Sequence, residues 1–118
     1  MAIEQWEIYQ ADLDPTRGHE QRGERPVLIL SSEPFNRRSI MVIVAPLTTL
    51  KPGRKLYPAE AFIPAGAAGQ PEGSLVLIHQ MRSLDLTRLG KRYGRLTDPD
   101  LRTQVSKALD FALGDAFQ

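Results

Sequence analysis

The sequence predicts a mainly β (α+β) fold, a compact and mostly antiparallel barrel or curled sheet closed by one C-terminal α-helix. Two observations carry this. Short runs of branched and aromatic residues recur between Pro, Gly and Asn turn signals through most of the chain, as strands do. The one long stretch with helical spacing stands at the end, and no strand–helix–strand rhythm precedes it, which argues against a parallel α/β sheet. A length of 118 residues suits a single domain spanning 1–118, with one modest core and no room for a second. There is no internal repeat.

Residues 6–12 read as a first strand ending at the Asp14-Pro15 turn signal. Arg25-Pro26-Val27-Leu28-Ile29-Leu30 is a nearly continuous apolar run, the mark of a strand buried on both faces, with Pro26 tolerable only near its beginning. After a Glu33-Pro34-Phe35-Asn36 turn comes a third strand over residues 39–46, and these two form the expected centre of the sheet. Residues 55–64 and 74–80 supply two more strands around a loop of small residues, 65–73. In the final helix, Thr97 or Asp98 serves as N-cap and Pro99 suits the first turn. Leu101, Val105, Ala108, Leu109 and Ala112 share one face, which should pack on the sheet.

Composition excludes several classes of function. With 42% hydrophobic and 25% charged residues the chain is neither disordered nor membrane-spanning. It has no cysteine, so disulfides, thiolate nucleophiles and thiolate metal sites are excluded, in keeping with a reducing cytoplasm. The N-terminus lacks a basic segment followed by an apolar run, so a cytoplasmic protein is expected. The net charge of +1 hides segregation: Glu4, Glu7, Asp12 and Asp14 come first, without a base among them. Later, Arg82, Arg88, Lys91, Arg92 and Arg95 face Asp85 alone, and Arg37, Arg38, Lys51, Arg54 and Lys55 form a second basic group. Such grouping makes either a phosphate-binding face or merely solvated basic loops.

The segment from Leu13 to Glu24 is far longer than an ordinary hairpin loop and concentrates Arg17, His19, Glu20, Gln21 and Arg22 beside Gly18 and Gly23. A mobile lid over a polar substrate would have this composition.

Here the residues support a resemblance. Ala11-Asp12-Leu13-Asp14-Pro15, Gly18-His19-Glu20-Gln21, Gly23-Glu24-Arg25-Pro26-Val27-Leu28-Ile29 and Pro46-Leu47-Thr48 follow the pattern of the MazF/PemK toxins in order and spacing. Gln80-Met81-Arg82-Ser83-Leu84-Asp85, Arg88-Leu89 and Gly94-Arg95-Leu96 resemble that family's second half, and only residues 51–73 add little. The resemblance implies an SH3-like barrel of the MazF/CcdB plasmid-maintenance type that dimerises and cuts single-stranded RNA sequence-selectively. It implies no metal or other cofactor, and products ending in a 2′,3′-cyclic phosphate and a 5′-hydroxyl. It also implies neutralisation by a short acidic MazE-like antitoxin, in a complex that binds operator DNA. The family's catalytic arginine falls on Arg25 and its threonine on Thr48.

The chemistry asks for three roles: a base for the 2′-hydroxyl, stabilisation of the phosphorane, and a proton for the departing 5′-oxygen. Arg25 suits the second, since its planar fork can hold two phosphate oxygens and stays charged. Thr48 can donate to a phosphate oxygen or relay a proton. His19, on the long loop, is the third catalytic candidate, while His79 replaces the acidic residue of some relatives and leaves their acid/base assignment without a carrier. Arg17, Glu20, Gln21, Gln80 and Arg82 are candidates for substrate binding, the last two pointing the same way if they alternate along a strand. Phe35, Tyr57 and Phe62 are candidates for base stacking.

Each residue also has a plainer reading: Arg25 as a strand-edge partner of Glu24 or Asp14, Thr48 as a turn cap, His19 as a solvated loop residue, His79 as a structural histidine. Trp6 reads as structural. Two other functions use the same architecture. A gyrase-poisoning toxin depends on a tryptophan-containing C-terminal end, whereas this chain finishes Gly114-Asp115-Ala116-Phe117-Gln118. A non-catalytic RNA-binding barrel would share the basic groups.

Overall fold

In the computed structural model, residues 2–114 are described; the sequence argument from the C-terminal end, residues 115–118, lies outside them. The strands are β1 (Glu7–Asp12), β2 (Glu24–Ile29), β3 (Met41–Thr49), β4 (Glu60–Ile63), β5 (Ser74–Leu77), β6 (Arg82–Asp85) and β7 (Leu89–Arg95). Two helices, α1 (Glu33–Arg38) and α2 (Pro99–Leu113), complete the set with short 3-10 turns at Ala67–Gly69, Ile78–Gln80 and Leu86–Arg88. All pairings are antiparallel, in the order β4-β5-β3-β2-β1-β7, with β6 also on β3. The expected antiparallel curled sheet with one closing helix is therefore what the chain forms, and β2 and β3 are central.

The continuous apolar run of β2 is explained by burial on both faces. Leu28 packs with Ile8, Leu47, Ile63, Ile78, Leu96, Val105 and Ala108, while Val27 and Ile29 pack with Tyr9, Leu13, Val42, Val44 and Leu84 on the other side. The period of two along a strand assigns neighbours to opposite clusters. Asp98 caps α2 by accepting from the Asp100 N–H at 2.8 Å. Val105 and Ala108 of that helix are buried as its spacing predicts, but Ala112, in its last turn, is exposed.

Four local expectations need correction. The stretch read as a turn at Glu33-Pro34-Phe35-Asn36 is the helix α1. Pro34 suits its first turn, and the buried Asn36 side chain donates to the carbonyls of Ile3 and Ser31 and accepts from the Ser31 hydroxyl. The strand expected over residues 55–64 is only β4, because Tyr57 and Glu60 close a turn through Pro58. The strand expected over residues 74–80 ends at Leu77, where the Met81 N–H bonds back to Ile78. Residues 82–95, read as a basic group, form two strands, β6 and β7.

Two buried carboxylates fasten the edges. Glu7 accepts from the Arg92 guanidinium, from the Glu4 N–H at 2.6 Å and from the Tyr9 hydroxyl at 3.2 Å. Burial first, and then the Glu7 charge, push the Tyr9 phenol up to about 12. Burial would raise the Glu60 carboxyl, but hydrogen bonds from Arg54 and the Tyr57 N–H, with the charges of Arg54 and His79, outweigh it and hold it below its ordinary value of 4.5.

A lowered folded-state pKa means that the unfolded chain binds the proton more readily. Glu60 thus contributes stability fully above its unfolded value of 4.5, and that stability is lost as pH falls through the folded value. Thermal melting followed from neutral pH into the acid range should show a shallower decline in Glu60→Gln than in the wild type. A second expectation concerns Gly69, whose φ is +75° and whose added Cβ would lie 2.2 Å from the Tyr93 carbonyl oxygen. Gly69→Ala combines left-handed strain with overpacking, about 2–4 kcal/mol together, measurable by denaturant unfolding.

Candidate functional site

The register of β2 on β3 pairs Val27 with Pro46, Leu28 with Ala45 and Ile29 with Val44. Carried two residues further, it sets Arg25 opposite Thr48. The formal ladder stops before them because Pro26 has no N–H to donate. Arg25 and Thr48 line one cavity of about 200 Å³, together with Pro26, Leu47, Thr49, Ser74, Tyr93 and the segment Gln70-Pro71-Glu72. The structure thus brings the two principal catalytic candidates together.

The far wall comes from residues 70–72, in the segment that adds little to the family resemblance. It reaches the cavity through a close approach that two glycines permit. An added Cβ on Gly94 of β7 would lie 2.7 Å from the Ala68 carbonyl carbon, and Gly69 meets Tyr93 as closely. Gln70, buried, follows this contact. The Leu50 N–H then bonds to the Gly73 carbonyl at 2.9 Å, and the Ser74 hydroxyl to the Glu72 carbonyl at 3.1 Å. Sequence reasoning missed Gln70, Glu72 and Tyr93, since a run of small residues does not reveal which strand it packs against.

The long loop between β1 and β2 is tied down rather than free. The Gly23 N–H donates to the Asp14 carboxylate at 3.0 Å and the Leu13 N–H to the Gly23 carbonyl at 3.0 Å. Gln80 stands at the end of a 3-10 turn, not on a strand with Arg82. Its side chain accepts from the Gln21 N–H at 2.7 Å and donates to the His19 carbonyl at 3.4 Å. Arg82 donates to the Leu13 carbonyl at 3.2 Å, and Arg88 to the carbonyls of Asp12 and Asp14. Glu20 accepts from the Arg17 N–H at 2.7 Å. These polar groups shape the loop. Arg17, His19 and Glu20 are exposed, and neither His19 nor His79 lines the Arg25–Thr48 cavity.

Arg25 is exposed, and its Nε donates to the Arg22 carbonyl at 3.2 Å. Among the described residues no carboxylate lies within ion-pair distance of it, so it is not the strand-edge partner of Glu24 or Asp14. Glu24 instead accepts from Gln10 at 3.4 Å and lines a second cleft with Asp12, Thr87 and Arg88. Of the stacking candidates, Phe35, Tyr57 and Phe62 are at least 38% exposed, but none lines the cavity. Trp6 holds the structural place expected, stacked on Arg102 at 5.1 Å. No three His, Cys, Asp or Glu residues converge as a metal site among the described residues.

Set against known proteins, this arrangement has clear relatives. The chain is 35% identical over 113 residues to the endoribonuclease EndoA of Bacillus subtilis, covering 96% of each chain. A crystal structure of MazF from Deinococcus radiodurans superposes with a TM-score of 0.80 at 28% identity, covering 98% of this chain and 99% of that one. A mycobacterial endoribonuclease solved in complex with its cognate antitoxin superposes with a TM-score of 0.77 at 26% identity, covering 96% of both chains. The family model of the PemK-like, MazF-like toxins of type II toxin–antitoxin systems matches residues 4–113, and the chain belongs to that family.

Proposed function

We propose that the chain is an endoribonuclease toxin that cleaves single-stranded RNA sequence-selectively and without a metal, by attack of a ribose 2′-hydroxyl on the adjacent phosphate. The single observation that carries this is the shared cavity of Arg25 and Thr48, with the arginine's charge unspent on any carboxylate among the described residues. In this reading the guanidinium fork holds two oxygens of the scissile phosphate and offsets the charge that builds on the phosphorane. The Thr48 hydroxyl donates to the same phosphate or relays a proton to the departing 5′-oxygen. The products carry a 2′,3′-cyclic phosphate and a 5′-hydroxyl. Arg17, His19, Glu20 and Gln21 meet the RNA on the loop that leads into Arg25, and Gln80 and Arg82 serve binding by fixing that loop.

The family places the chain in a toxin–antitoxin pair, and the mycobacterial relative solved with its antitoxin supports a MazE-like partner for this chain as well. A homodimer, operator-DNA binding by the toxin–antitoxin complex, and a cytoplasmic setting complete the reading. Among the described residues no helix is long and apolar enough to cross a membrane.

Incubating the purified protein with a long mixed-sequence RNA and chelator tests the proposal. Cleavage supports it, binding without cleavage favours a non-catalytic barrel, and neither favours a gyrase poison. Arg25→Ala should lower the single-turnover rate by about 10²–10³-fold with the fold intact by circular dichroism. Arg25→Lys should recover little of it, because an ammonium lacks the fork. Wild-type rates in Arg25→Ala would sink the assignment.

A further inference from the structure

We infer that Glu72 is the general base of this cavity, the group that takes the proton from the attacking 2′-hydroxyl; the inference rests on the nuclease reading above. The groups lining the cavity leave few acceptors. Arg25 cannot release its proton at any working pH and so cannot take one. Thr48, Thr49, Ser74 and Tyr93 present hydroxyls, which offer a proton before they can accept one. The Gln70 amide is not basic. Among the described residues Glu72 is the only acidic residue in the lining; it is exposed, and its carboxylate has neither a hydrogen-bond nor an ion-pair partner there.

The other acids near Arg25 are engaged elsewhere. Glu24 turns to Gln10 in the second cleft, Asp14 accepts from the Gly23 N–H, and Glu20 accepts from the Arg17 N–H. Glu72 is also held in place by its backbone. Its carbonyl accepts from the Ser74 hydroxyl at 3.1 Å, and the next carbonyl, of Gly73, accepts from the Leu50 N–H at 2.9 Å, two residues beyond Thr48. Thr49 pairs with Ser74 in the β3–β5 register. The residue that bears the base is thus fastened to the strand that bears Thr48, while Arg25 comes from the strand opposite.

In the step, the 2′-O–H bond breaks as its proton passes to the Glu72 carboxylate, and the 2′-oxygen forms its bond to phosphorus. The P–O5′ bond breaks, and the 5′-oxygen takes a proton from solvent through the Thr48 hydroxyl. Glu72 then returns its proton to water. A base that must be ionised makes the rate fall on the acid side of the pH profile.

The test is single-turnover cleavage of a long mixed-sequence RNA across pH by wild type, Glu72→Gln, Glu72→Asp and Arg25→Ala. Glu72→Gln should lose about 10²–10⁴-fold in kcat with little change in KM and should lack the acid limb. Glu72→Asp should keep the limb and recover part of the rate. A Glu72→Gln enzyme that keeps the wild-type acid limb, or that changes KM alone, overturns the inference; with Arg25→Ala still inactive, it leaves the nuclease reading standing. A wild-type chain that leaves the RNA intact, or an Arg25→Ala chain that cuts normally, overturns the parent reading and this inference with it.

Discussion

The site depends on how β3 changes partners around Pro46. On one side of the strand Met41 to Val44 pair with β6, and Leu47 to Thr49 pair with β5, so Ala45 and Pro46 fall between two ladders. A proline inside a central strand ordinarily removes a needed donor. Here, on that side, neither ladder claims Pro46. On the other side Val44 to Pro46 pair with β2, Val27 facing Pro46. A slip of one residue in that pairing would turn Thr48 to the opposite face and separate it from Arg25. Both faces of β2 are packed, which makes such a slip expensive in buried apolar area. The hydrophobic core therefore enforces the spacing of two polar side chains that take no part in it.

Handing β3 from β6 to β5 has a second effect. The chain before β5 is drawn to the end of β3, where Leu50 bonds to Gly73, and it is pressed against β7 where Gly69 and Gly94 lack side chains. Four non-neighbouring pieces of sequence, residues 25–26, 47–49, 70–72 with Ser74, and Tyr93, consequently meet in one cavity. The long first loop lies outside that lining. Its hydrogen bonds to Gln80, Arg82 and Arg88 make it a frame that leads into Arg25 at the start of β2.

Much of this was legible in the sequence, and for identifiable reasons. The strands β1, β2 and β3 and the helix α2 are long or strongly patterned, so their existence follows from pattern, while Arg25 and Thr48 are singled out by the resemblance to the toxin family. Residues 82–95 hid two strands because their exposed faces carry arginines and lysine, which on composition alone look like a loop. Helix α1 hid because Asn36 is a turn former whose amide here serves three hydrogen bonds, two of them buried, a tertiary fact. Glu72 and Tyr93 hid because nothing local records the contact of Ala68 and Gly69 with β7.

The arginines show most clearly what the sequence alone cannot sort. A cluster such as Arg82, Arg88, Arg92 and Arg95 suggests a phosphate-binding face, yet each has an internal partner. Arg82 and Arg88 bind carbonyls of the first loop, Arg92 binds the buried Glu7, and Arg95 stands 3.6 Å from Glu4. Arg54 is likewise held by Glu60. Arg25 lines the cavity, and among the described residues its one side-chain hydrogen bond runs from Nε to the Arg22 carbonyl. A guanidinium spent on an internal carboxylate contributes stability but offers little to an incoming anion. Which guanidinium is spent on a carboxylate is a property of three-dimensional neighbours, and charge counting along the chain does not record it.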